Sequence, residues 1–354
     1  MSIEIKNLTA DLEQDYGRLL QESPVSKFNH SLRYRRFLRE ILSDSEDRYL
    51  CACEGSQLLA ALPVFIKRGS LGAVVNSLPF YGSHGGIVSS PNLDRRVSEA
   101  LLTALDHVCQ EVNAVSCTVI ESPWETDKER YCSYSADLFD ERIGQITRLP
   151  DRADESIVQE QLLNLYHQKT RNMVRKGLKG GFKVGHDGSS NTFNVLHTIH
   201  DANISGMGGI PKPLSVFQAI QKVFKYGDDY RIYTARKDGQ IVAALLVFYF
   251  KDTVEYFVPA TREDYRNQQP SSLLIFRAMC DAVLERTAKY WNWGGTWLSQ
   301  KGVYQFKSRW GTKDFPYRYH IKAHENYELL RNIPKDEFFT HYPWFYVLPF
   351  AHSE

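Results

Sequence analysis

At 354 residues the chain exceeds what one hydrophobic core usually serves, so two domains are expected. A composition of 43 % hydrophobic and 24 % charged residues excludes a disordered or fibrous chain, and a net charge of +1 argues against a chain-wide contact with nucleic acid or anionic lipid, leaving only a local basic site open. No run approaches the roughly 18 apolar residues of a membrane span, and Met1-Ser-Ile-Glu-Ile-Lys lacks a signal peptide's apolar stretch, so a cytoplasmic protein without an integral membrane segment is expected.

The pattern from Leu8 to Leu42 is helical and amphipathic, with Arg33, Arg35, Arg36 and Arg39 on what reads as a solvated face. Tyr49 to Lys67 reads as a β-hairpin turning near Gly55-Ser56, and it leads into the glycine-rich Leu78-Pro-Phe-Tyr-Gly-Ser-His-Gly-Gly-Ile-Val88. Arg95 to Val112 predicts a helix and Ala114 to Glu121 a strand. The six cysteines form no CxxC pair and read as small apolar fillers in a reducing compartment.

The second half repeats this order. Glu155 to Lys179, Asn191 to Ile204 and Leu214 to Phe224 predict helices, and Arg231 to Arg236 starts a strand. Asp238-Gly239 is a tight-turn pair that predicts a hairpin into Ile241 to Lys251, followed by Thr253 to Pro259. A polar loop, a helix from Ser271 to about Lys289 and a strand at Tyr290 to Trp293 complete the copy. Helix, hairpin, polar loop, helix and strand occurring twice imply two copies of one α/β unit with mixed sheets. The boundary is expected near Pro150-Asp-Arg-Ala-Asp154, giving domains 1–150 and 151–354.

Four stretches could carry chemistry. In Gly302-Val-Tyr-Gln-Phe-Lys-Ser-Arg-Trp-Gly311, the rings of Tyr304, Phe306 and Trp310 lie within a few residues of Lys307 and Arg309. Such a cluster suits an anionic ligand, Arg gripping phosphate or carboxylate, Lys acting as a point charge and the rings covering a sugar or base, with glycines letting the chain turn at both ends. The same residues also fit an ordinary half-buried strand.

The loop Arg262 to Ser272 runs into a helix whose first turn can hold Pro270. Free N–H groups there, with Arg266, could cradle a phosphate. CoA-dependent acetyltransferases of the GNAT type carry an Arg/Gln-x-x-Gly-x-Gly/Ala pattern in this position, where Gln269 and Ser271 stand in place of the glycines. Glu255 and Tyr256 lie on the strand entering the loop, where such enzymes often place a base or substrate contact.

Arg171, Arg175 and Lys179 recur every four residues on one helix face, which suits solvent or a phosphate-rich donor such as tRNA. In Tyr81-Gly-Ser-His-Gly-Gly86 the glycines let backbone approach a ligand, with Tyr81 as a contact and His84 as a base near neutral pH. There is no HExxH or close-spaced ligand set for a metal and no Gly-x-Ser-x-Gly elbow, so direct transfer without a covalent intermediate is expected.

Taken in order, four segments resemble the Fem family of aminoacyltransferases, which have two tandem GNAT-like domains. They are Leu78 to Ile87, Lys169 to Val184, the span from Tyr256 through the Pro270 helix to Trp291-Asn-Trp-Gly-Gly295, and Gly302 to Gly311. The third resembles the family's aromatic-Asp/Asn-aromatic-Gly sequence. The fourth resembles its Gly-x-x-x-Phe-Lys-x-x-aromatic-Gly ending, with Lys307 and Trp310 at matching positions. The likeness covers about residues 78 to 320 and includes no coiled-coil arm.

This resemblance implies transfer of an acyl or aminoacyl group to an amine of an amino sugar or cell-envelope precursor, nucleotide-linked or lipid-linked. It implies that Lys307 contacts the acceptor's phosphates and that Glu255 and Tyr256 line the channel. The donor stays open between acyl-CoA and aminoacyl-tRNA, with Arg266, Gln269, Ser271 and Arg171 as its expected contacts. Glu255 is the first candidate base and His84 the second. Peripheral contact with a membrane and a non-catalytic protein binding a glycan precursor stay open as well.

Overall fold

The computed structural model describes residues 3–80, 84–91, 93–127, 129–323 and 326–349. The chain divides into two units, Met1–Ile143 with Pro316–Glu354, and Gly144–Phe315. The expected split at residue 150 falls close to the first crossing. Residues 316–354, by contrast, return to the first unit, so the second does not run to the C-terminus.

In the first unit β1 (Ile3–Asn7) precedes α1 (Glu13–Glu22) and α2 (Leu32–Ile41). The stretch Leu8 to Leu42 is therefore two helices rather than one, because Ser23 is extended before Pro24 and Ser31 caps α2 by accepting from the Tyr34 N–H. Of the four arginines read as solvated, Arg35 is buried and grips the half-buried Asp47 at 2.6 Å. Then come β2 (Ser45–Glu54), β3 (Gln57–Gly69), β4 (Gly72–Asn76), β5 (Val88–Ser89), α3 (Arg95–Glu111) and β6 (Ala114–Ile120).

The sheet order is β1-β2-β3-β4-β6, with β5 beside β3. All these pairs are antiparallel except β4 with β6, which the crossover helix α3 connects. The pairing of β4 and β6 runs the length of β4, from Ala73 opposite Ala114 to Asn76 opposite Thr118. The apolar faces of β2, β3 and β6 bury Leu62, Val64 and Val119 against Leu101 and Leu105 of α3. β7 (Leu138–Arg148) carries the chain into the second unit, and β13 (Thr312–Lys322) brings it back to pair antiparallel with β6, Tyr319 opposite Ile120. The tail holds α10 (Tyr327–Leu330) and α11 (Lys335–His341), and the Tyr346 N–H donates to Asn76 Oδ1 at 2.7 Å.

The second unit opens with α4 (Glu155–Leu165) and α5 (Gln168–Leu178), where one helix over Glu155 to Lys179 was expected. The break has no glycine or proline. Tyr166 turns extended and buries its ring, its hydroxyl 3.0 Å from Met279 Sδ, while the His167 ring caps α5 by accepting from the Lys169 N–H. Next follow β8 (Lys183–Asp187), α6 (Ser190–Ser205), α7 (Leu214–Val223), β9 (Tyr230–Lys237) and β10 (Gln240–Phe250), the last two joined through Asp238 and Gly239, both at positive φ. β11 (Thr253–Thr261), α8 (Pro270–Arg286), β12 (Tyr290–Trp297) and α9 (Lys301–Ser308) complete the unit.

Its sheet order, β8-β9-β10-β11-β12, repeats that of the first unit, again with one parallel pair, β11 with β12, around a crossover helix. The tandem α/β architecture is therefore present in the topology as well as in the order of elements. α8 is apolar on most of its circumference because it is enclosed by α4, α5 and the sheet, and it buries Leu274, Ala278, Met279 and Ala282. Among the described residues no helix is long and apolar enough to cross a membrane.

Candidate active site

The two units differ at the parallel pair. In the second unit β11 and β12 pair only from Thr253 opposite Tyr290 to Glu255 opposite Asn292, after which the strands part. Residues 256–261 and 293–297 do not continue this pairing, so the ladder opens directly after Glu255. β11 also carries a bulge, because Leu246 faces Val258 while Val247 faces Tyr256, leaving Phe257 as the extra residue.

A hydrogen-bonded chain runs along the opening. Asn292, fully buried, donates from Nδ2 to Glu255 Oε2 at 2.7 Å, and its Oδ1 accepts from the Gly294 N–H at 3.0 Å. That second bond fixes the amide's orientation, so a donor faces the carboxylate. Gly294 has φ +73, a left-handed conformation that costs glycine little. Its carbonyl and that of Gly295 accept from Lys307 Nζ at 3.4 and 3.1 Å, and Thr296 Oγ1 accepts from the same ammonium at 2.9 Å. Thr296 in turn donates to Gln145 Oε1, and Gln145 Nε2 donates to the Tyr304 carbonyl at 3.2 Å.

Lys307 is 7 % exposed. Its hydrogen-bond partners are neutral acceptors, and among the described residues no carboxylate forms an ion pair with it. Burial holds its ammonium well below the ordinary lysine value, at about 8. Keeping it charged at neutral pH costs about 3 kcal/mol at 1.4 kcal/mol per pH unit. An uncompensated buried cation is a place where an anion is welcome.

Tyr256 packs on Trp293 with ring centroids 4.9 Å apart and on Trp291 at 6.2 Å. Trp310 differs from its expected part as a ligand contact. Gly311, at φ +74, turns the chain, and the indole is sealed against Tyr166 at 4.9 Å and Trp293 at 5.5 Å. Gly302 marks no turn, since it lies in the first turn of α9. The exposed ring is Phe306. The Tyr304 hydroxyl is taken by Asp314 at 2.7 Å. Arg309 is half-buried, its carbonyl accepts from the His167 N–H, and among the described residues its guanidinium has no bonded partner.

Residues 167–308 match the acetyltransferase (GNAT) domain, a stretch that contains the parted strands, α8 and Lys307. That stretch is a GNAT-type acetyltransferase domain. Among solved structures FemX shares its fold, with 14 % identity and a TM-score of 0.73 over 92 % of this chain and 99 % of that one. L-PGS from Bacillus licheniformis is similar over 92 % and 95 % at 13 % identity and a TM-score of 0.56. A tandem GNAT protein from the clavulanic acid biosynthesis pathway is similar over 90 % and 97 %, at 12 % identity and 0.54. Among curated proteins no sequence matches the chain.

Other expected positions of the acyltransferase lie farther from this opening in the chain or in the other unit. Gln269 caps α8 in a left-handed conformation, its amide donating to the Arg266 carbonyl, and Ser271 Oγ bonds to Thr261 Oγ1. Both side chains therefore stiffen the loop. The N–H groups of Ser271 and Ser272 donate to no backbone carbonyl among the described residues. Arg266 is exposed, 3.9 Å from Glu263, and lines a 610 Å³ groove with Arg262, Arg236 and Asn203. Arg171 is half-buried and ties α5 to the Tyr166 carbonyl at 2.8 Å.

His84 belongs to the first unit, buried edge-on to Trp124 and Tyr317, whereas Glu255 belongs to the second. Tyr81 lies outside the described residues. Reasoning from sequence missed Asn292, Thr296 and Gln145. Trp291-Asn-Trp-Gly-Gly295 contained the signal for Asn292, because a buried Asn between two tryptophans needs partners.

Proposed function

We propose that the protein is an N-acyltransferase that moves an acyl group from acyl-CoA to an amine of a nucleotide-linked or lipid-linked amino sugar, or of a related cell-envelope precursor. The observation that carries this reading is the opening of β11 and β12 directly beyond the buried Glu255–Asn292 pair, with the uncompensated Lys307 ammonium on the β12 side. The opening is open to a thin thioester arm between the strands. The N–H groups starting α8 are suited to the donor's pyrophosphate at the far end of β11.

In the reaction the acceptor amine attacks the thioester carbonyl, a C–N bond forms, the C–S bond breaks and the thiolate leaves with a proton. Glu255 takes the amine's proton, directly or through water, and passes it on to the leaving thiolate. The bulge at Phe257 frees backbone donors for the developing oxyanion. Lys307 holds the acceptor's phosphate, which replaces the 3.4 Å contact to Gly294. The cell-envelope acceptor class rests on the Fem likeness. An aminoacyl-tRNA donor is the second reading, favoured by the side chains of Gln269 and Ser271 where an acyl-CoA loop carries glycines.

Steady-state kinetics with acetyl-CoA and uridine-diphosphate amino sugars test this. Lys307→Ala raises the acceptor KM about tenfold or more, as expected for one lost charge-assisted contact, and leaves the donor KM within about twofold. Equal effects on both KM values contradict the phosphate role. Turnover with aminoacyl-tRNA and none with any acyl-CoA replaces the first reading with the second.

A further inference from the structure

The helix α5 buries Thr170, Val174 and Gly177, a stripe spaced by four and three residues. Gly177 fixes which side faces inward, since a Cβ there would lie 2.7 Å from the Gln269 carbonyl and 2.9 Å from Leu273 Cβ at the start of α8. With 100° per residue, Lys169, Arg175, Lys176 and the C-cap Lys179 then occupy the outward arc, and all four are exposed.

No Asp or Glu occurs between Gln168 and Lys179, and among the described residues none of the four cations joins an ion pair or a side-chain hydrogen bond. This is unusual in a chain whose net charge is only +1. Leu165, just before the helix, is 43 % exposed, and Leu178, at its end, is 54 % exposed.

We propose that the outward face of α5 is a docking surface for an anionic lipid bilayer. Cations without counter-carboxylates gain from a sheet of negative headgroups, and Leu178, exposed at the end of the helix, can enter the region beneath them. The segment carries no aromatic ring on which a nucleic-acid base could stack, which favours a bilayer over RNA. Because the rest of the chain is nearly balanced in charge, the attraction is local, reversible and weakened by salt. The inference stands apart from the identity of the acyl donor.

Co-sedimentation of the full chain tests it, using vesicles of equal parts phosphatidylglycerol and phosphatidylcholine against pure phosphatidylcholine. Binding to the mixed vesicles is expected to be at least about tenfold tighter, and Lys176→Glu with Lys179→Glu is expected to remove that difference. Leu178→Ser is expected to weaken binding to the mixed vesicles severalfold, an effect that a purely electrostatic contact lacks. Thermal unfolding of each variant confirms that the fold is intact, both charge reversals being on the exposed arc. Equal binding to both vesicles, or undiminished binding by the charge-reversal variant, overturns the proposal. Binding to a structured RNA that the same two reversals abolish, without vesicle binding, overturns it in favour of nucleic acid.

Discussion

Lys307 is a cation placed where its charge is costly, and its titration can be read in two ways. Because burial lowers its folded value from 10.5 to about 8, the unfolded chain binds the extra proton more readily between these values. Stability from this group is therefore fully present above pH 10.5 and is lost as pH falls through about 8. The proposed acceptor binding has the opposite sign, since it would use the charged form. The acceptor kcat/KM is expected to fall as pH rises through about 8, while donor affinity stays level. A flat acceptor profile up to pH 10 would remove the charge from acceptor binding.

Asn292 offers a second test at this scale. Its amide donor meets the Glu255 carboxylate at 2.7 Å, so Asn292→Asp would set two carboxylates against each other. The acid limb of the pH–rate profile is expected to move up by about one unit or more, with the acceptor KM little changed. Lys307 and Glu255 were legible as residue types beside aromatic and strand patterns. The bonds joining them through Asn292, Gly294 and Thr296 were not, because they depend on where β11 and β12 stop pairing.

Among the elements, the start of α8 depends on its neighbour. Pro270 at its first position and the polar loop before it were readable as a helix start. The close approach of α5 was not, because nothing near Gly177 in the chain announces a partner almost a hundred residues away. Gly177→Leu would drive a side chain into the Gln269 carbonyl and Leu273. The expected result is a loss of about 1–3 kcal/mol by chemical denaturation, together with a raised donor KM as the α8 amides shift. An unchanged donor KM at reduced stability would separate α8 from the donor site. The break between α4 and α5 was hidden for a related reason. The buried Tyr166 and the capping ring of His167 impose it through tertiary contact, without glycine or proline.

For the whole molecule, the doubled order of helix, hairpin, helix and strand was legible because hydrophobic periodicity and turn residues are local signals. The return of residues 316–354 to the first unit was not legible, since β13 pairs with β6 across some two hundred residues of sequence. Topology alone makes the units equivalent, and register makes them different. β4 and β6 stay paired along β4, whereas β11 and β12 part after Glu255. The donor is therefore expected in the second unit. Hydrogen exchange of the full chain with and without acetyl-CoA tests this most directly. Protection is predicted over residues 256–261 and 270–274, with none following β4 in the first unit. Protection confined to the first unit, or no protection anywhere at saturating acetyl-CoA, would contradict it.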